Sequence, residues 1–300
     1  LLFYFFFFLR TRRPPRSTQS RSSAASDVYK RQQIYCADHQ QIIDAVIKAY
    51  WIAEKVSIPI MVCYDGYILS HTFMPFDLPD QKTVDAFLPP FKPDYALRPE
   101  EPANLNTVTL PDVRLDVRGE LAHSYMEIRY LLQEELRTTL QLASDAEKRF
   151  AGIFGRSGNP YIEPYRCDDA DYVAVGLGSI TYQLRVCVDT LRKEGIKVGV
   201  MGVRYYRPFP DAVIADALKG KKGIIVFEKA LSYGYEGALA SALKSALYEH
   251  LSGTGSLPSV QNLIAGIGGR EIHTDDLTQN LRAATQGRIS REPAWIGLKI

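Results

Sequence analysis

Cysteine is scarce and scattered. Cys36, Cys63, Cys167 and Cys187 are the only four in 300 residues, and no two are spaced as a C-x-x-C clip. That spacing excludes a zinc ribbon or the usual run of iron–sulfur ligands within this chain. It also excludes a disulfide-dense scaffold and makes a reducing, cytoplasmic compartment the simplest setting. Cys63 and Cys187 lie in apolar periodic stretches, where a free thiol behaves as a small hydrophobe. Long apolar runs are missing as well. The opening Leu1–Leu9 stretch has nine residues, whereas a membrane span needs about 20. A signal peptide would place bases before that run and a small-residue cleavage site after it, but here the bases follow. No membrane role is expected. Net charge is also small, +2 overall. Residues 1–32 hold seven bases (Arg10, Arg12, Arg13, Arg16, Arg21, Lys30, Arg31) against Asp27, leaving 29 bases and 33 acids in the other 268 residues. The basic balance therefore belongs to the leader and gives no argument for nucleic-acid binding by the folded part.

With 46% hydrophobic and 23% charged residues, the composition is that of a globular protein with one or two cores. Residues 1–32 turn abruptly from aromatic to Arg-, Pro- and Ser-rich sequence. This stretch resembles translated adapter DNA, and is read as a non-native or disordered leader outside the fold.

Behind it, residues 39–56 carry Ile42, Ile43, Val46, Ile47, Tyr50 and Ala53 at helical spacing, with Asp38 as N-cap. Ile60–Tyr64 reads as a buried strand ending at the Asp65-Gly66 turn. This pair is the closing helix–strand unit of an α/β domain. Residues 73–118 are proline-rich without a sustained period and read as an extended crossing segment. Residues 119–150 form one long amphipathic helix, with Leu121, Tyr125, Ile128, Leu132, Leu136, Leu140, Ala143 and Phe150 on its apolar stripe. Gly152, Gly155 and Gly158 are expected to end it.

After residue 168 strands and helices alternate. Strands are expected at 172–177, 198–203, 223–227 and 261–266. Helices are expected at 181–193, 212–218, 236–250 and 275–284, the last capped by Thr274. This rhythm specifies an α/β fold with a mainly parallel sheet covered by helices on both faces and right-handed crossovers. The resulting division is a leader at 1–32, a domain end plus linker at 33–118, a long helix and connector at 119–167, and a final domain at 168–300. No repeat of 20–50 residues is present.

Five motifs follow strands. Gly176-Leu177-Gly178-Ser179 superficially suggests a dinucleotide loop, but Tyr182 or Gln183 stands where the third glycine belongs, so a tight strand-to-helix turn is favoured. Arg204 and Arg207, stiffened by Pro208 and Pro210, could hold a carboxylate or phosphate bidentately. Pairing with carboxylates of a neighbouring domain is the preferred reading. Asp65–Thr72 gathers a carboxylate, two hydroxyls and an imidazole within eight residues, with Asp65, Ser70 and His71 as the candidates. A histidine beside a turn is more often a structural hydrogen-bonding residue than a general base, yet this loop is expected near any chemistry. Gly266-Ile267-Gly268-Gly269-Arg270 could hold an anion on its amides, or pack against another subunit, with Arg270 at its end. Tyr233-Gly234-Tyr235 reads as interface material.

Taken together, Val62–Thr72, Leu191–Gly195, Lys197–Val200, Arg204–Pro210 and Gly266–Ile272 make residues 33–300 resemble the alpha subunit of pyruvate:ferredoxin oxidoreductase, or a close 2-oxoacid:ferredoxin relative. The second half is also similar to the transketolase C-terminal domain, in which an Arg-x-x-x-Pro segment likewise follows the second strand. The resemblance makes 33–64 the last unit of a thiamine pyrimidine-binding domain and 168–300 a transketolase-C-like core domain II. It implies oxidative decarboxylation of a 2-oxo acid, pyruvate foremost, with thiamine diphosphate and Mg2+. Electrons pass through [4Fe-4S] clusters to ferredoxin or flavodoxin, and coenzyme A takes the acyl group. Beta, gamma and delta-type subunits are the implied partners, carrying the clusters and the diphosphate site. The glutamate for the aminopyrimidine and the substrate arginine are implied ahead of residue 33. The chain is accordingly expected to be N-terminally truncated and inactive alone, with no catalytic, cofactor or metal residue assignable. Glu228-Lys229 departs from the more usual Asp-Arg pair, with little consequence expected. The alternatives are a transketolase-like domain of a lipoamide-linked 2-oxoacid dehydrogenase, and a non-catalytic assembly module.

Overall fold

The computed structural model describes residues 31–91, 125–255, 257–287 and 292–299. The leader through residue 30, the later part of the proline-rich crossing and the expected start of the long helix at 119–124 lie outside the described residues. Two sheets organise what is described. The first has three strands in the order β2-β1-β6, and the second has six in the order β3-β5-β4-β7-β8-β9.

The first sheet opens with a strand that the sequence pattern does not show. Strand β1 (Gln32–Tyr35) starts on the fully buried Gln32, inside the stretch 1–32 read as a leader. Helix α1 (His39–Val56) follows, and Asp38 caps it by accepting from the Gln41 N–H at 2.7 Å. Strand β2 (Ile60–Cys63) then lies parallel to β1. Ile68–His71 forms a single helical turn, α2, where an extended loop is expected. A second correction falls in the proline-rich segment. Its residues Gln81–Phe87 form helix α3, with the Asp80 carboxylate capping Thr83 N–H at 2.8 Å. Phe87 is fully buried, edge-on to Phe150.

Helix α4 (Tyr125–Phe154) runs through Gly152, and Gly155 at φ +69° ends it. It packs on α1, whose inward face matches the expected stripe only in part. Ile47 is buried and Ile42 and Ile43 pack against the core, but Val46 and Tyr50 are exposed, and Asp44, Ala45, Lys48, Ala49 and Ile52 are buried as well. The two charged members are tolerated because each meets an opposite charge from sequence a hundred residues away. Lys48 Nζ lies 2.7 Å from Glu147, and Arg156 grips Asp44 with two contacts of 2.7 and 3.0 Å.

In the second sheet, β4 (Tyr172–Gly176), β5 (Val198–Val203), β7 (Gly223–Glu228), β8 (Ser259–Ile264) and β9 (Ala294–Trp295) are parallel. Strand β3 (Ile162–Tyr165) closes one edge antiparallel to β5. Helices α5 (Ile180–Lys193), α6 (Asp211–Leu218), α7 (Ala238–Leu251) and α8 (Thr274–Thr285) supply the crossovers. Alternate strand residues feed two apolar clusters. Val173, Val175, Ile224 and Val226 meet α6 and α7 on one face, while Ala174, Val200, Ile225 and Phe227 meet α5 and α8 on the other. Two-sided burial explains why these strands read as unbroken apolar runs. Thr274 is inside α8 rather than its cap; the cap position belongs to His273, whose side chain makes no capping bond. Among the described residues no helix is long and apolar enough to cross a membrane.

The two sheets are physically joined. Strand β6 (Tyr205–Arg207) leaves the end of β5 and pairs antiparallel with β1, bringing Arg207 opposite Gln33 and Tyr205 opposite Ile34. Arg204 and Tyr205 N–H groups meanwhile donate to Tyr161 O, and Tyr35 N–H donates to Arg204 O at 2.7 Å.

Candidate functional site

The carboxyl end of β4 is where an open parallel sheet offers a crevice. Here that position is filled from the first unit. Asp65, just past β2, reaches across so that Oδ2 accepts from Ser179 N–H at 2.8 Å, at the start of α5. Its Oδ1 lies 2.9 Å from Lys229 Nζ, just past β7. A carboxylate therefore occupies the helix N-terminus where a bound anion would otherwise sit. Gly178 permits this approach. Its φ is +71°, and a Cβ there would stand 3.3 Å from the Asp65 carboxylate. The Gly176-x-Gly178 turn is thus a clasp between the two sheets.

Tyr182, the residue at the missing third glycine, strengthens that junction. Its hydroxyl donates to Asp38 Oδ2 at 2.6 Å. Asp38 thereby caps α1 with one oxygen and holds α5 with the other. Gln41 donates to Glu163 at 3.0 Å, Arg185 pairs with Glu163 at 2.5 Å, and the Arg185 guanidinium lies 4.3 Å from the centroid of the Tyr182 ring. Burial, then the Asp38 hydrogen bond, raises the Tyr182 phenol above its ordinary range, so it remains a proton donor.

The Asp65, Ser70 and His71 group does not assemble. Asp65 is turned toward Ser179 and Lys229, away from the other two. Ser70 Oγ donates to Gly66 O at 2.6 Å and lies 2.7 Å from His71 Nδ1. With its hydroxyl hydrogen directed to Gly66 O, Ser70 does not present that proton to the imidazole as a nucleophile–base pair requires. His71 instead stacks on Tyr67 at 5.4 Å. Around them Tyr67, Phe73, Met74 and Leu78 are exposed, making an apolar surface.

The two arginines take separate places. Arg204 faces Lys48 and Glu147 in the cavity between α1, α4 and β6, and donates from Nη1 to Asn159 O at 3.3 Å. Arg207 lies 4.1 Å from the centroid of the Tyr206 ring and donates to Tyr206 O at 2.7 Å. Neither makes an ion pair with a carboxylate among the described residues, and the backbone of β6 itself pairs with β1. Arg270 is exposed, its side chain lying over Gly297.

Glu228, from which little consequence was expected, has a structural role. It is buried at the end of β7 and accepts from Leu239 N–H at 2.7 Å, Ala240 N–H at 3.1 Å and Asn262 Nδ2 at 2.9 Å. It therefore caps α7 from below. Burial raises its pKa, opposed by those donors. The fit requires Gly237, since a Cβ there would fall 1.7 Å from Glu228 Oε2.

Among the described residues no three His, Cys, Asp or Glu side chains cluster as a metal site. Cys36, Cys63 and Cys187 are buried and Cys167 half-buried. Burial pushes the Cys36 and Cys63 thiols up to about 12, unlike cluster-ligating thiolates. The described residues thus offer no cysteine set of the kind that ligates an iron–sulfur cluster, and no chemical step is routed through such a cluster or through thiamine diphosphate.

Comparison with known proteins places this junction in context. Two family models match: "Pyruvate flavodoxin/ferredoxin oxidoreductase, thiamine diP-bdg" over residues 10–136, and "Pyruvate:ferredoxin oxidoreductase core domain II" over residues 170–277. The first match starts within the stretch read as a leader. Pyruvate synthase subunit PorA of Methanothermobacter thermautotrophicus is 35% identical over 89% of this chain and 64% of its own length. Ketoisovalerate oxidoreductase subunit VorA of Pyrococcus abyssi is 34% identical over 89% of this chain and 65% of its own length. The chain therefore spans a little under two thirds of these relatives. The solved 2-oxoglutarate:ferredoxin oxidoreductase of Magnetococcus marinus shares the fold, with a TM-score of 0.50, 17% identity, and coverage of 85% of this chain and 42% of its own. The junction of β1 and β6, with Asp65 clasped between Ser179 and Lys229, is thus a joint between two domain types of one enzyme family, and the chain belongs to the 2-oxoacid:ferredoxin oxidoreductases as a relative of their alpha subunits.

Proposed function

We propose that this chain serves in a thiamine diphosphate-dependent 2-oxoacid:ferredoxin oxidoreductase that converts a 2-oxo acid and coenzyme A to acyl-CoA and carbon dioxide. Pyruvate is the proposed substrate, and ferredoxin or flavodoxin the electron acceptor. The observation that carries this reading is the seam. A unit matching the thiamine-binding family model is locked to core domain II by a shared β6–β1 pairing and by the Asp65 clasp. Within that enzyme the chain's described part is a scaffold that fixes one domain against the other, so that groups held elsewhere meet in a set geometry.

Thiamine diphosphate with Mg2+, and the [4Fe-4S] clusters, are assigned to beta, gamma and delta-type partner subunits and to the thiamine-binding domain. Thiamine supplies an ylid and an electron sink when bound. The exposed apolar surface at Tyr67, Phe73, Met74 and Leu78 supports a partner interface, because such a patch on a lone chain marks a contact. Arg207 and Arg270 are proposed to meet an anion or a partner surface, and the Asp65–His71 segment to lie beside the chemistry. The setting is a reducing cytoplasm. The family matches support a ferredoxin rather than a lipoamide acceptor.

The test is reconstitution with the partner subunits and a panel of 2-oxo acids, read by ferredoxin reduction. Reduction that requires both a 2-oxo acid and coenzyme A is expected. No reduction with any member of the panel overturns the reading.

A further inference from the structure

Between α1, α4 and β6 lies a cavity of about 20 Å³, lined by Ile34, Lys48, Glu147, Arg204 and Tyr205 together with small apolar groups. That volume holds one small occupant. The charges facing it do not cancel. Lys48 is paired with Glu147 at 2.7 Å, while Arg204 adds a second cation whose described contact is the neutral Asn159 carbonyl. Asp44, one turn along α1, is already held by Arg156.

The unmet hydrogen bonds point the same way. Arg204 Nε and Tyr205 Oη are buried without a partner, and Tyr205 is only 3% exposed. Arg204 Nε can only donate, and the phenol, raised by burial, keeps its proton to donate. Cys36 is likewise held neutral, its thiol directed to Gln41 O. A cavity with one surplus positive charge and two unused donors suits an acceptor that takes several hydrogen bonds at once. A water molecule satisfies the donors but leaves the charge.

We infer that this cavity is a binding site for one monatomic halide, chloride under ordinary conditions, held by Lys48, Arg204 and Tyr205. The bound ion ties α1 and α4 to β6 and so stiffens the seam between the two sheets. Nothing in this inference depends on the proposed reaction.

The test uses the full chain. Thermal unfolding is followed while chloride replaces gluconate at constant ionic strength, and crystals are soaked in bromide. A saturable rise in the midpoint with chloride is expected, with an anomalous bromide peak within hydrogen-bond reach of Arg204 Nε and Tyr205 Oη. Tyr205→Phe removes one donor to the ion without changing the ring, and is expected to raise the half-saturating chloride concentration by about tenfold. A midpoint indifferent to chloride against gluconate overturns the inference. So does a cavity holding water with no bromide signal, or a Tyr205→Phe chain with unchanged chloride dependence.

Discussion

Replacing Glu147 by Gln tests how the α1–α4 interface is held together. Lys48 and Glu147 meet at 2.7 Å with side chains only 11% and 9% exposed. Glu147→Gln keeps the shape but leaves Lys48 buried beside Arg204 without its counter-charge. Breaking such a pair from one side costs about 3–5 kcal/mol, most of it the penalty of the abandoned charge. For a chain of this size that corresponds to on the order of 10 °C in Tm. The pH dependence gives a sharper signature. Burial, and then Arg204, lower the Lys48 pKa, opposed by Glu147. A lysine lowered in the fold binds fewer protons there than when unfolded. Stability therefore rises with pH from the folded pKa up to the ordinary lysine value. Removing Glu147 takes away the opposing influence, so the rise starts at a lower pH and becomes steeper. Urea unfolding across pH 7 to 10.5 reads both effects. Lys48→Met combined with Glu147→Leu is expected to recover much of the loss, since apolar replacement of both members is often near neutral. A Glu147→Gln chain within about 1 kcal/mol of wild type, with an unchanged pH slope, refutes the reasoning.

Further substitutions probe the seam, the second sheet and the turn after β2. Asp65→Ala abandons Lys229 and the Ser179 N–H together and is expected to cost about 2–4 kcal/mol, with faster hydrogen exchange at the start of α5; unchanged exchange there denies the clasp. Gly237→Ala forces a methyl into the Glu228 carboxylate, for an expected loss of about 2–4 kcal/mol in urea unfolding, whereas Gly253→Ala, which meets nothing within 4 Å, stays within about 1 kcal/mol. Ser70→Ala leaves turnover of the assembled enzyme within about twofold, because its hydroxyl serves Gly66; a loss of a hundredfold or more reinstates it as a nucleophile.

The second sheet was the most legible part of the sequence. Strand Val198–Val203 has the expected bounds, because strands buried on both faces show as unbroken apolar runs. Edges were harder to read. Gln32–Tyr35 is short and half polar, and Ala294–Trp295 is two residues long, so neither carries a period. Part of the inward face of α1 was missed because Asp44 and Lys48 look like solvated charges until Arg156 and Glu147 arrive from α4 and its exit. The i,i+4 spacing of Asp44 and Lys48 among apolar neighbours was the available signal. At the seam, Asp65 and Ser179 are 114 residues apart, and no local pattern relates them. Tyr182 carried a clue of its own, since a bulky residue at the third glycine position already spoke against a dinucleotide.

The proposed role of the chain in a 2-oxo acid-oxidising complex is tested by comparing the partner subunits with and without it for pyruvate- and coenzyme A-dependent reduction of ferredoxin. Turnover is expected only when the chain is present, with a marked loss when the Asp65→Ala form replaces it. Equal rates without the chain, or none under either condition with any 2-oxo acid, refute the proposal.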